Sequence, residues 1–255
     1  MIKAAFFDID GTLLSFKTHC VSEGTVRAFS TLHNNGVRTF ISSGRPMILI
    51  PEMPVSFDGY ITMNGGLVFT SDGKVLLSNP IPGEDSESWL DLAKEHHLCT
   101  MVFTKDSMML AQPNEIGLKI RDQLEFQMPP VFDIDDMRGH EAYQLIAIMP
   151  PELDQQVGAM LSHCRLPRWH PAFTDIVAAG NSKAAGMEAI CRHYGIRQEE
   201  TLAFGDGGND IEMLQWAGTD VAMGNAADEV KAAADMVTTD VDNEGIENAI
   251  NKLFA

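Results

Sequence analysis

Hydrophobic and polar positions along the chain follow two different patterns. In the first, short apolar runs alternate with helical periodicity. Residues 3–8 form an apolar run ending in acids, as expected for a parallel strand buried on both faces. Ser22 is a candidate N-cap for a helix with Val26, Phe29 and Leu32 on one face and Gly36 as its stop. Residues 37–41 predict the next strand, followed by Ser42-Ser43-Gly44. Residues 60–63 predict a third strand, and residues 67–77 a hairpin around Asp72-Gly73.

From about Pro82 the pattern changes. Residues 85–97 read as a helix. Residues 99–104 and 108–112 read as strands flanking a Lys105-Asp106-Ser107 turn, and residues 115–125 as a helix. A strand at 143–149, a helix at 153–163 and short strands around Arg168 and Asp175 complete this part. Strands separated by turns predict a small α+β domain with an antiparallel sheet. After Ser182 the first pattern returns. Helices are predicted at 183–194, 210–216, 226–234 and 244–253, with strands at 201–205 and 221–223. The fold class is α/β: a doubly wound parallel-sheet core with an inserted α+β domain. The expected division is 1–81 plus 181–255 for the core and 82–180 for the insertion, with hinges at Pro80-Ile81-Pro82 and Gly180-Asn181.

Composition narrows the function classes. The chain has 255 residues, 45% hydrophobic and 21% charged, with no apolar run near the ~20 residues of a membrane helix. Eighteen Lys and Arg stand against 36 Asp and Glu, for a net charge of −18. Such a surface repels nucleic acid and anionic lipid. It also repels an anionic substrate at long range, so a pocket for one must be locally positive. The four cysteines are widely spaced with no CxxC pair, which points to a reducing cytoplasm rather than a disulfide framework.

Four segments carry candidate chemistry. Phe6-Phe7-Asp8-Ile9-Asp10-Gly11-Thr12 places two acids at the C-terminal end of a strand, where open α/β sheets bind ligands. In an extended chain, Asp8 and Asp10 point to the same side. At ~4 Å and an effective dielectric of about 20, two such charges repel by about 4 kcal/mol. A cation or a shared proton must offset that, and Mg²⁺, which prefers oxygen, is the natural candidate. Ser42-Ser43-Gly44-Arg45 also follows a strand and lets a hydroxyl and backbone N–H groups approach an anion. Lys183 opens a helix, where a cation opposes the dipole, a hint that it serves a ligand. Gly205-Asp206-Gly207-Gly208-Asn209-Asp210 puts two acids and an Asn in a glycine-rich turn before a helix N-terminus. Convergence of the four fits phosphoryl transfer to a carboxylate, with Asp8 as nucleophile, Asp10 as proton donor and acceptor, and Lys183 with Mg²⁺ neutralising charge.

These segments resemble, in order, the motifs of a haloacid dehalogenase superfamily phosphatase, specifically the Cof-like subfamily with a type IIB cap. The match runs through Asp8 to Thr12, Ser43-Gly44-Arg45, Lys183 and Gly205 to Asp210. It continues in Ala222-Met223-Gly224-Asn225-Ala226 and Asp242-Asn243-Glu244-Gly245-Ile246. The resemblance implies a Rossmann-like core, with Asp8, the Asp10 carbonyl and Asp206 as Mg²⁺ ligands and Asp210 in support. It implies phosphate held by the Ile9 N–H, Ser43, Gly44, Lys183 and Asn209. It also implies that the inserted domain chooses the substrate, with Arg45, Arg168, Trp169, His170 and Phe173 as candidate contacts; Trp169 and Phe173 fit a packing role equally. The expected activity is hydrolysis of small phosphomonoesters, sugar phosphates first. Alternatives are a pyridoxal phosphate or flavin mononucleotide phosphatase, a phosphosugar mutase and a non-enzymatic phospho-accepting module. The expected partner is a small phosphorylated metabolite, without nucleic acid or membrane, in a monomer or weak homodimer.

Overall fold

Ala4-Ala5-Phe6-Phe7 is buried at every position, and in a computed structural model of the chain it forms the centre of the larger of two sheets. The structure describes residues 1–124, 129–168 and 170–255. In chain order the strands are β1 Ala4–Phe7, β2 Arg38–Ser42, β3 Gly59–Thr62, β4 Leu67–Thr70, β5 Val75–Ser78, β6 Thr100–Phe103 and β7 Met108–Ala111. They continue with β8 Gln144–Ala147, β9 Cys164–Arg165, β10 Thr174–Ala178, β11 Thr201–Gly205, β12 Thr219–Ala222 and β13 Met236–Val237. The helices are α1 Glu23–Asn34, α2 Gly83–Glu95, α3 Glu115–Leu124, α4 Asp154–Met160, α5 Lys183–Tyr194, α6 Ile211–Trp216, α7 Asp228–Ala232 and α8 Gly245–Leu253.

The chain divides into two compact units. One comprises Met1–Arg45, Ile50–Ser78 and Ser182–Ala255; the other comprises Pro46–Leu49 and Asn79–Asn181.

The first unit holds an eight-stranded sheet in the order β13-β12-β11-β1-β2-β3-β4-β5. From β13 to β3 all neighbours are parallel, and β4 and β5 extend the edge antiparallel. Alternate residues of β1 feed two cores. Ala5 and Phe7 join Phe29, Leu32, Phe204 and Ile250 on one face; Ala4 and Phe6 join Phe40, Ile61, Met187 and Ile190 on the other. The chain moves outward from β1 to β2 and β3 on one side and from β11 to β12 and β13 on the other. The strand order therefore reverses beside β1, and the loops that follow the parallel strands share one edge.

The second unit is a five-stranded antiparallel sheet in the order β7-β6-β8-β10-β9. Trp89, Leu90, Val102, Leu145, Ala147, Val157 and Ile176 form its core. Trp89 donates its indole N–H to Thr100 Oγ1 at 2.8 Å, so its one polar atom is satisfied inside that core.

The structure corrects some expected elements. No strand forms at Arg168; the short strand lies earlier, at β9, where Arg165 and Cys164 pair with Val177 and Ala178 of β10, and the Arg168 guanidinium binds Asp154 at 2.5 and 2.7 Å. The helix expected at 153–163 ends at Met160, and the one expected at 226–234 shortens to α7. The strand β13 had no sequence signal, since two residues cannot display a period. Residue 125, the expected end of α3, and Trp169 lie outside the described residues. No helix among the described residues is long and apolar enough to cross a membrane.

Candidate active site

Asp8 follows β1 directly and extends its ladder, donating its N–H to Phe204 O at 3.1 Å. Its side chain is almost wholly buried. Beside it lies Lys183, the first residue of α5, with its side chain fully out of solvent. Lys183 Nζ donates to Asp8 Oδ1 at 2.6 Å and to Asp210 Oδ1 at 2.5 Å. A cation in the first turn of a helix opposes the dipole, and two buried carboxylates outweigh that penalty here. Burial pushes the Lys183 ammonium toward the neutral form, but Asp210 and Asp8 together hold its pKa above the ordinary lysine value.

Asp210 is fully buried and organises the loop after β11. Its Oδ2 accepts from the backbone N–H groups of Asp206 at 3.0 Å and Gly207 at 2.9 Å. Asp206 is fixed at both oxygens. Thr12 Oγ1 donates to Oδ1 at 2.9 Å, and Asn225 Nδ2 donates to Oδ2 at 3.1 Å. Asn225 Nδ2 also donates to Gly11 O at 2.9 Å, which joins the loops after β1, β11 and β12. Gly11 has φ +81°, and a Cβ there would stand 2.2 Å from Asp206 Oδ2, so only glycine permits this approach.

The carboxylates of Asp8, Asp206 and Asp210 offer oxygens within 4.8 Å of one another. Burial raises the pKa of Asp8 well above the usual carboxylate range; the charges of Asp210 and Asp206 add to this, and Lys183 opposes it. Burial, then Asp210, push Asp206 up to about 6, against the Thr12 hydrogen bond and Lys183. Three acids and one lysine leave an excess of negative charge in a dry place. An all-oxygen donor set of that kind suits a hard divalent cation such as Mg²⁺.

The Asp8 and Asp10 carboxylates have different partners. Asp8 clusters with Asp206 and Asp210, while Asp10 makes a two-bond ion pair with Arg45, Nε–Oδ2 2.8 Å and NH2–Oδ1 2.7 Å. β1 ends at Phe7. The chain then turns through Gly11. Arg45, a candidate substrate contact, is thus engaged by Asp10.

Ser43 is buried after β2. Its N–H donates to Ile61 O at 2.9 Å, and its Oγ accepts the Arg45 N–H at 3.1 Å. Asn209 donates from Nδ2 to Asn64 Oδ1 at 3.0 Å. Ile9 is fully buried, its carbonyl accepting from the N–H groups of Leu13 and Leu14 at 2.9 and 2.8 Å. In the second unit Phe173 is buried and stacks on His170 with ring centroids 4.8 Å apart. Arg168 braces Asp154 and the carbonyls of Met149 and His170. A second group with metal-ligand chemistry, Glu84, Asp85 and His163, also lies in this unit. There Asp85 accepts the His163 backbone N–H at 2.9 Å, tying the start of α2 to the approach to β9.

Sequence reasoning missed Asn64 as a site-edge residue and gave no role to Asn225. Asn64-Gly65-Gly66 after a predicted strand was the available signal for the first.

Residues 5–250 match the haloacid dehalogenase-like hydrolase family. The chain belongs to this family. Among its relatives is YkrA of Bacillus subtilis (strain 168), provisionally named a phosphatase, 32% identical over 98% of this chain and 97% of its own length. The pyridoxal phosphate phosphatase YbhA of Escherichia coli (strain K12) is 29% identical over 95% of each chain. A solved structure described as a haloacid dehalogenase subclass IIB sugar phosphatase superposes with a TM-score of 0.89 at 37% identity, covering 99% of both chains. The chain is therefore a haloacid dehalogenase-type enzyme with phosphatase relatives, and its doubly wound core with a second antiparallel sheet matches structures of this fold.

Proposed function

We propose that this enzyme is a Mg²⁺-dependent phosphatase of small phosphomonoesters, sugar phosphates first, working through an aspartyl-phosphate on Asp8. The observation that carries the reading is the convergence of Asp8, Lys183, Asp206 and Asp210 at the edge where the parallel strands end. Lys183 and the Thr12–Asp206–Asn225 contacts hold the carboxylates in fixed orientations before substrate arrives, so little reorganisation is left for the reaction.

Asp8, Asp206 and the main-chain carbonyl of Asp10 would hold the metal, with Asp210 supporting from its place on Lys183 and the loop N–H groups. Bound there, Mg²⁺ supplies positive charge that offsets repulsion between an anionic nucleophile and a phosphate. An Asp8 oxygen attacks phosphorus as the bond to the leaving oxygen breaks, and Asp10 gives that oxygen its proton. Asp10 then takes a proton from a water whose oxygen attacks the same phosphorus. The Asp8–phosphorus bond breaks, and inorganic phosphate leaves. To act, Asp10 leaves its ion pair with Arg45 and takes up from solvent the proton that it gives to the leaving oxygen; the proton taken later from water restores it. Ser43, Gly44, Asn209 and the Ile9 N–H are the proposed phosphate donors. The second unit, with His170 and Phe173, is the proposed source of substrate choice, and the protein is proposed to work in the cytoplasm.

The subclass IIB sugar phosphatase neighbour supports sugar phosphates as the first class to test, and the relationship to the E. coli enzyme supports pyridoxal phosphate as the second. The test is phosphate release across a panel of phosphorylated sugars, pyridoxal phosphate and flavin mononucleotide, with Mg²⁺ or excess EDTA. The expected result is Mg²⁺-dependent release that Asp8→Asn abolishes. Full rates in EDTA reject the metal role, and turnover by Asp8→Asn rejects the nucleophile.

A further inference from the structure

The loop after β3 reaches the same edge of the sheet, yet none of the motifs above includes it. Met63, Asn64 and Gly65 have φ values of +49°, +53° and +90°, three consecutive residues in the left-handed region. For the two non-glycine residues this conformation is costly and persists only where the surroundings impose it. The surroundings here are the other loops of the site. The Met63 N–H donates to Arg45 O and the Asn64 N–H to Ser43 O, each at 3.1 Å. Gly65 packs against the residue before Lys183, where a Cβ would fall 2.1 Å from Ser182 O.

Asn64 is buried, with 8% of the residue exposed. Its Oδ1 accepts from Asn209 Nδ2 at 3.0 Å, and its carboxamide lies alongside Gly44, with Nδ2 and Oδ1 3.2 and 3.3 Å from where a Gly44 Cβ would stand. One amide thus touches the loop after β2 and the loop after β11, while its own turn packs on the start of α5. These three places carry Ser43 and Gly44, Asn209, and Lys183. Asparagine suits the position on two counts. It tolerates left-handed backbone better than most residues, and it offers an acceptor without a charge that would repel an anion.

We propose that Asn64 is a positioning residue for oxyanion binding: it orients the Asn209 amide and sets the Ser43–Gly44 loop so that their donors converge on a tetrahedral phosphoryl group. The proposal deepens the phosphatase reading and rests on it. Asn64→Gly permits the left-handed turn and removes the side chain that carries the carboxamide. Binding of inorganic phosphate and of Mg²⁺ to the full chain is measured by titration calorimetry, at a temperature where thermal melts show both proteins folded.

Asn64→Gly is expected to weaken phosphate about tenfold, equivalent to about 1.4 kcal/mol. Mg²⁺ affinity should stay at the wild-type value, because Asp8, Asp206 and Asp210 do not touch the carboxamide, and KM should rise by more than kcat falls. In an Asn209→Ala background, the added effect on phosphate should largely disappear. Unchanged phosphate affinity in Asn64→Gly overturns the proposal. So does an equal loss of Mg²⁺ affinity, which marks a merely structural role, or an effect that persists in full in the Asn209→Ala background. A wild-type protein that binds Mg²⁺ but no phosphate overturns the phosphatase reading as well; wild-type binding matched by Asn64→Gly overturns this inference alone.

Discussion

At the residue scale the site depends on how one lysine compensates two buried acids. Lys183 and Asp210 are fully buried, and Asp8 nearly so. Truncating one member of such a network leaves uncompensated charge, a change that typically costs about 3–5 kcal/mol. Lys183→Met is therefore expected to lower unfolding free energy by about that amount in urea titrations without metal. Adding Asp210→Asn to it should recover part of the loss, because one unpaired charge is then removed; no recovery would mean that Lys183 matters through packing alone. Asp8, Asp206, Asp210 and Lys183 were legible in the sequence because each sits at a strand end or helix start fixed by local pattern. The Arg45–Asp10 ion pair and the Asn64–Asn209 contact were not, since they join residues 35 and 145 positions apart. No local period encodes a contact of that range.

At the element scale, the strands and helices with strong periodicity came out as the apolar pattern required. Ser22 caps α1 as expected, accepting from the Thr25 N–H at 3.1 Å, and its hydroxyl also donates to Glu244 Oε2 at 2.5 Å. That second contact, beside the Arg27–Glu247 ion pair at 2.6 Å, links α1 to the start of α8 and has no local signature. Short elements were the least legible, as β9 and β13 illustrate. The entry to β11 carries a pH-dependent contribution. Glu200 accepts from Lys3 at 2.8 Å and from the Arg197 side chain at 2.9 Å, and the Lys3 hydrogen bond leads in lowering its pKa to about 2. A depressed carboxylate contributes stability above its unfolded pKa, near 4.5, and that contribution is lost as pH falls through about 2. Glu200→Gln is expected to be less stable than wild type at pH 7, with the gap closing between about pH 4.5 and 2. Denaturant titrations across that range check it, and a gap that is independent of pH would contradict the assignment.

At the scale of the whole molecule, the two alternation patterns of the sequence correspond to two sheets of different type. One is mainly parallel and buried on both faces; the other is antiparallel. The core's site was readable because parallel strands place their following loops on one edge, so motifs far apart in sequence converge by topology alone. The net charge of −18 gives the surface the wrong sign for a phosphorylated substrate, and Lys183 is itself outnumbered by Asp8, Asp206 and Asp210, so the proposed function needs the cation that those acids would hold. The proposed function requires covalent transfer of the phosphoryl group to Asp8. The most direct measurement is rapid acid quench during turnover of the best substrate with Mg²⁺, followed by mass spectrometry of the peptide carrying Asp8. The account predicts a transient phosphoryl adduct on Asp8 that decays as free phosphate accumulates. Turnover at full rate with Asp8 unmodified at every time point, or the adduct on a different residue, would contradict it.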